Sequence, residues 1–243
     1  MNSLKYALCG LLFGFALPLA SADAANKAKL DASKKFSLAK IQQKYKKAGS
    51  LEADFVQEVY QATLARTKTS KGNFKISKPN FVRWEIYEPE ASLMVSNGRK
   101  LFYFTPDARG KGKGQVIERK GKELEKQPLF RILSGLAPLD KEFHLEKVEK
   151  NSGLVSESET DSTKALTKEI EATSVKLKPK SSMGDLSFVT LRLNGKSQIE
   201  EILLEHESGN KTKITLQNQA LGAKFPPELF EFKPPPETEV LKN

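Results

Sequence analysis

The chain reads as one α+β domain in which a large, strongly curved antiparallel sheet carries a few short helices. Three features carry that reading. Short alternating runs follow one another closely from about residue 50 to 105 and return near residue 186, and turn residues separate them; this spacing suits a meander rather than βαβ units. A clear helical stripe occurs once, over residues 37–48, with a shorter one after Pro128. No internal repeat interrupts the stretch from 36 to 243, and no linker in it is long enough to divide it into domains.

Ahead of the domain lies a basic start, MNSLK, then an apolar run over residues 6–20 and the small-x-small site Ala20-Ser21-Ala22. This pattern predicts a cleaved secretory signal peptide over residues 1–22, with Ala22-Asp23-Ala24 as a second cleavage position. Pro18 ends the run short of the roughly 20 residues of a membrane-spanning helix. The one cysteine, Cys9, falls inside the run and lacks the small residue that precedes a lipidated cysteine. The mature chain is therefore expected to have neither disulfide nor lipid anchor, and its length can bury a core without such staples. Residues 23–35 read as a flexible arm. The net charge of +10 falls by one with the loss of Lys5. Export and the gathering of lysines in tracts such as 111–126 argue against nucleic acid. The charge then serves solubility and loops, or attraction to anionic headgroups or an acidic patch.

In the first helix Leu38, Ile41, Tyr45 and Ala48 share one stripe, with Ser37 as N-cap, Gly49 past the end, and lysines at the negative end of the helix dipole. SLEADFVQEVYQATL, GNFKIS, FVRWEIY, ASLMVS and KLFYF then read as strands, with SKPN, EPE and SNG as turns. Residues 107–126 alternate glycine with lysine and read as a mobile basic loop with one short strand at Val116-Ile117. They have neither the spacing nor the context of a phosphate-binding loop. PLFRILSGL, opening on Pro128, reads as a short helix with Gly135 near its end. EFHLEKVEK is a strand, and residues 151–169 a polar excursion. LSFVTLRLN, QIEEILLEHES and GNKTKITLQNQ are strands joined by Asn194-Gly195 and Ser208-Gly209-Asn210. FPPELFEFKPPP reads as a final edge strand blunted by prolines.

No reaction chemistry emerges. His144 and His206, the only imidazoles, lie far apart in strand-like alternations. There is no HExxH, no zinc-spaced cluster and no GxSxG. The expectation is a protein that is not an enzyme, with no catalytic residue, cofactor or metal.

The region 81–104, FVRWEIYEPEASLMVSNGRKLFYF, is apolar on both strand faces. Val82, Trp84 and Ile86 oppose Phe81 and Tyr87, Leu93 and Val95 oppose Met94, and Leu101 and Tyr103 oppose Phe102 and Phe104. An apolar face left in water is a penalty of about 25 cal/mol per Å². Either protein packs both faces, or one is packed and the other lines a pocket roofed by the helices. The alternation leaves the two open.

The run SKPNFVRWEIYEPEASLMVSNGRKLFYFTP resembles the signature of the LolA family of periplasmic lipoprotein carriers. The shared frame is a basic residue before Pro-Asn, the Trp-bearing strand, a Pro turn, and S-x-x-V-S-[ND]-G-x-x-L with following aromatics. LEADFVQEV, PLFRIL, LKPKSSMGDLSFVTLRLN and AKFPPELFEFKPPPETEV resemble further segments of the family, across roughly 36–240. The resemblance implies an incomplete β-barrel closed by short helices, located in the periplasm and acting as a monomer. Acylated lipoproteins would be its cargo, an ATP-driven inner-membrane transporter would load it, and an outer-membrane receptor would unload it. Carried over by position, it implies a cavity lined by Val82, Trp84, Ile86, Leu93, Val95, Leu101 and Tyr103. It implies a lid of Leu129, Ile132 and Leu133, held by Lys78. Here the sequence departs from the family, which often has Arg at that position. Lysine lacks the planar multi-donor fork, so Lys78 is expected to be a weaker latch, or Arg83 to share the task. The outer-membrane receptor shares this fold but would need a lipidated cysteine. A periplasmic lipid-sensing or interaction domain is the alternative reading.

Overall fold

The computed structural model describes residues 37–107, 114–154 and 169–242. The expected signal peptide, the arm over 23–35, residues 108–113 of the stretch 107–126 and residues 155–168 of the stretch 151–169 lie outside the described residues.

Helix α1 (Leu38–Ala48) buries Leu38, Ile41 and Tyr45, and Gly49 ends it at φ +76°. Ser37 is extended, as an N-cap should be, but its hydroxyl caps nothing; its carbonyl instead accepts from the Lys40 N–H at 3.1 Å. After α1 the chain runs as a meander through β1 (Ser50–Gln61), β2 (Arg66–Ser77), β3 (Phe81–Glu88), β4 (Ser92–Asn97), β5 (Lys100–Thr105) and β6 (Gln115–Lys120). A 3-10 turn (Gly121–Lys126), α2 (Pro128–Leu133) and α3 (Leu139–Glu142) follow. A second meander runs through β7 (Phe143–Leu154), β8 (Glu169–Pro179), β9 (Leu186–Leu193), β10 (Ile199–His206) and β11 (Lys211–Leu221), and β12 (Glu239–Lys242) comes last.

One sheet holds all of these strands in the order β12-β6-β5-β4-β3-β2-β1-β11-β10-β9-β8-β7. The two meanders join where β1 pairs with β11 as well as β2. The end strands β7 and β12 do not pair with each other among the described residues, so the barrel is open. Its concave face holds the core: Leu51, Phe55, Phe74, Ile76, Leu191, Ile202 and Ile214 pack against α1, α2 and the 3-10 turn. Tyr45 pins α1 to the second meander. Its Oη accepts from the Ile199 N–H at 2.8 Å and donates to Gln219 at 3.4 Å, while Gln219 Nε2 donates to the Ile199 carbonyl at 2.7 Å.

Three expectations are corrected. Within 107–126 the short strand expected at Val116-Ile117 is present but longer, as β6, and a 3-10 turn that buries Leu124 follows it, so residues 115–126 are not a loop. FEF is not a strand. The segment after β11 makes a 3-10 turn at Pro227–Phe230 and crosses the convex side of β3–β5, and the last strand lies beyond the prolines. That strand pairs with β6 in parallel, the one parallel pair in the sheet among the described residues. Finally the polar excursion expected over 151–169 is narrower at both ends: β7 runs on to residue 154 and β8 starts at residue 169, the two pair with each other, and β8 pairs on its other side with β9.

Candidate functional site

The two apolar faces of β3–β5 have different fates. On the convex side the register sets Arg83, Val95 and Phe102 in one row and Glu85, Leu93 and Phe104 in the next. The C-terminal segment covers this side. Phe230 lies against Phe81 and Phe232 against both Phe102 and Phe104, each with ring centroids 5.5 Å apart. Arg83 Nη1 donates to the Leu229 carbonyl at 3.4 Å.

On the concave side the rows are Phe74-Trp84-Met94-Tyr103 and Ile76-Val82-Ser96-Leu101. Trp84 stacks on Phe74 at 4.9 Å with the rings 7° apart, and lies 4.3 Å from Phe55. Phe55 can reach it because its cross-strand neighbour is Gly72, where an added methyl would fall 2.7 Å from the Phe55 ring. Above these rows is a cavity of about 420 Å³, within the range of small-ligand sites. Ile76, Val82, Trp84, Ile86, Met94 and Tyr103 form its floor; Leu124, Leu129, Phe130 and Leu133 form its roof.

The roof is tethered to both helical neighbours. Arg131 of α2 pairs with Glu142 of α3 and donates to the Glu125 carbonyl at 3.2 Å. Gly135, at φ +66°, lies so close to α1 that an added methyl would be 2.6 Å from the Lys46 nitrogen. Lys78 Nζ donates to the carbonyls of Lys46 and, at 3.4 Å, Tyr45. These belong to the last turn of α1, where carbonyls lack helical partners. Burial, then nearby Lys46, lowers the Lys78 pKa.

Residues 46–168 and 153–233 match the family described as "Outer membrane lipoprotein carrier protein LolA". The chain belongs to the LolA family. An outer-membrane lipoprotein carrier protein of Methylococcus capsulatus is 26% identical over 81% of this chain and 83% of its own. One from Methylibium petroleiphilum is 28% identical over 78% of this chain and 81% of its own. A solved LolA superfamily protein from Nitrosomonas europaea aligns with TM-score 0.40 and 12% identity, over 81% of this chain and 98% of its own. The family is described as one of lipoprotein carriers and not as an enzyme class. No helix among the described residues is long and apolar enough to cross a membrane.

Of the residues assigned by resemblance to the LolA cavity, Val82, Trp84, Ile86, Leu93 and Tyr103 border it. Leu101 shares the concave face but is fully buried beside Ser96 and does not reach the cavity. Val95 is corrected: it lies in the convex row with Arg83 and Phe102 and is fully buried there. Leu93 reaches only the rim, since the same register turns it toward Phe104. Met94 takes the position in the Trp84 row. In the roof, Leu129 and Leu133 face the cavity, while Ile132 packs into the core. Lys78 holds α1 rather than α2, and touches the roof only through the α1–Gly135 contact. Arg83, on the convex side, takes no share in it. Ile76, Met94, Leu124 and Phe130 were missed. The short turn at Gly98-Arg99 could have revealed Met94, because it fixes which residues of β4 and β5 are opposed.

Proposed function

We propose that this chain is a periplasmic carrier that shields the acyl chains of a lipoprotein between β3–β5 and α2, and moves it from the inner to the outer membrane. The observation that carries the reading is the uncharged, largely apolar cavity beneath a tethered short helix, on a floor whose other face is sealed by the C-terminal segment. A core made only for stability would close over Trp84 and Met94, because an apolar surface in contact with solvent is a standing penalty. In this reading Trp84, Ile86 and Tyr103 touch the chains from below, and Leu129 and Leu133 cover them.

Taking one methylene from a bilayer costs about 0.8 kcal/mol, so a single long chain represents on the order of 10 kcal/mol and a triacylated anchor several times that. The strongest non-covalent affinities stop near ~20 kcal/mol. The carrier therefore receives its cargo from an ATP-driven inner-membrane partner and passes it to an outer-membrane receptor. Modest affinity and an opening roof suit that passage better than a rigid tight site.

The test is to purify the protein without detergent, seek co-purified lipid by mass spectrometry, and add it to vesicles holding a lipoprotein and the loading transporter. Lipoprotein should appear in the soluble fraction bound to the carrier. A cavity free of lipid together with no soluble lipoprotein would refute the reading and favour a sensing domain.

A further inference from the structure

Shielding acyl chains requires an apolar cavity, but this one is also free of charge: none of its lining residues is acidic or basic. Gln57, Ser92, Thr105 and Gln127 bring only neutral polar groups to it, and Thr105 is exposed on its open side. The exposed Lys122 and Lys126 of the neighbouring 3-10 turn do not line it. An ionised carboxylate or phosphate drawn in would lose water and meet no cation among the lining residues, a cost that drives such groups to neutralise or stay out. A neutral carbonyl needs only one donor.

Tyr103 can be that donor. It borders the cavity at the end of the Phe74-Trp84-Met94 row, and its hydroxyl makes no hydrogen bond among the described residues. A tyrosine hydroxyl that a bound chain would cover ordinarily finds a partner. The charges that act on it, Arg119 and Glu123, pair with each other at 3.5 Å. Burial first and Glu123 second push its pKa up, against Arg119, which favours the protonated, donating phenol.

We infer that the cavity selects acyl chains joined through a neutral ester or amide carbonyl over lipids that end in an ionised group, and that Tyr103 donates the hydrogen bond that recognises this carbonyl. The inference rests on the acyl-binding reading above.

The test uses four probes of equal chain length against the full mature protein: a monoacylglycerol, an N-acyl amide, a free fatty acid and an alkane. The ester and the amide should bind at about pH 8, where the fatty acid is ionised, and the fatty acid should bind at least about tenfold more weakly. Its affinity should recover as the pH is lowered through its carboxyl pKa, because only the neutral acid enters freely. Tyr103→Phe should weaken both carbonyl probes by about three- to tenfold and weaken the alkane distinctly less, a selectivity that loss of packing alone would not produce. If only the ester or only the amide responds to Tyr103→Phe, the recognised linkage is the one that responds. A fatty acid bound as tightly as the ester at about pH 8, or equal weakening of ester and alkane by Tyr103→Phe, would overturn the inference. If no probe binds at all, the acyl-binding reading falls, and the inference with it.

Discussion

Replacing Gly72 with alanine tests the packing that makes the cavity floor. The β2–β3 register shifts between Lys71 and Gly72, which brings the Glu85 carbonyl of β3 over Gly72. A methyl at Gly72 would lie 1.9 Å from that oxygen and 2.7 Å from the tip of the Phe55 ring. Side-chain carbons do not approach other atoms closer than 3.0 Å, so β3 must move by about an ångström, and Phe55 with it. Overpacking costs about 1–3 kcal/mol, and the upper end applies because a backbone carbonyl, not a flexible side chain, is struck. At roughly 2–4 °C per kcal/mol for a domain of this size, the midpoint of thermal unfolding should fall by about 6–12 °C. Displacing Trp84 and Ile86 should also weaken acyl binding. Gly184→Ala is the control: it sits at φ +69° with nothing within 4 Å, so only backbone strain of about 1–2 kcal/mol applies. Calorimetry that finds Gly72→Ala no more destabilising than Gly184→Ala would refute the close approach of β2 and β3 and the floor built on it.

Four further outcomes follow from the same contacts. Tyr45→Phe leaves the buried Ile199 N–H unpaired and should cost about 1–3 kcal/mol, read by denaturant titration. Burial pushes Tyr45 up from 10.0 to about 12; its folded pKa is raised, so its contribution is whole below about pH 10 and lost as the pH climbs toward about 12. Ultraviolet titration should find Tyr45 the last tyrosine of the folded domain to ionise. Lys78→Met should loosen the last turn of α1, speeding hydrogen exchange of α1 and the Gly135 loop more than that of α2. Phe232→Ala should expose Phe102 and Phe104, lower stability by about 1–3 kcal/mol, and open the C-terminal segment to protease before the sheet unfolds.

Much of the frame was legible because its signals are local. Gly49 stops α1 by adopting a backbone that other residues resist, and Pro128 starts α2 where a missing N–H costs nothing. The turns at 88–91 and 96–99 could be read for similar reasons. The candidate site was legible in outline, since the even positions of β3 do line the cavity. Val95 was assigned to the wrong face because alternation within β4 does not state its register against β3. In the lysine-rich tract at 115–126 only the core of β6, Val116-Ile117, could be read; its full length and the turn after it were hidden because the strand pattern is short and the anchoring leucine lies among charges.

The sequence by itself determined where most strands and helices begin and end, and that the middle of the chain has apolar residues to bury on both sides. These follow from periodicity and turn chemistry, which act within a few residues. Tertiary structure alone decided which face remains open. Arg83 meets the Leu229 carbonyl across 146 residues of chain, and β1 lies beside β11 through pairs as distant. Such contacts are chosen by the total area that the whole chain can bury, a sum over distant partners that no local pattern records.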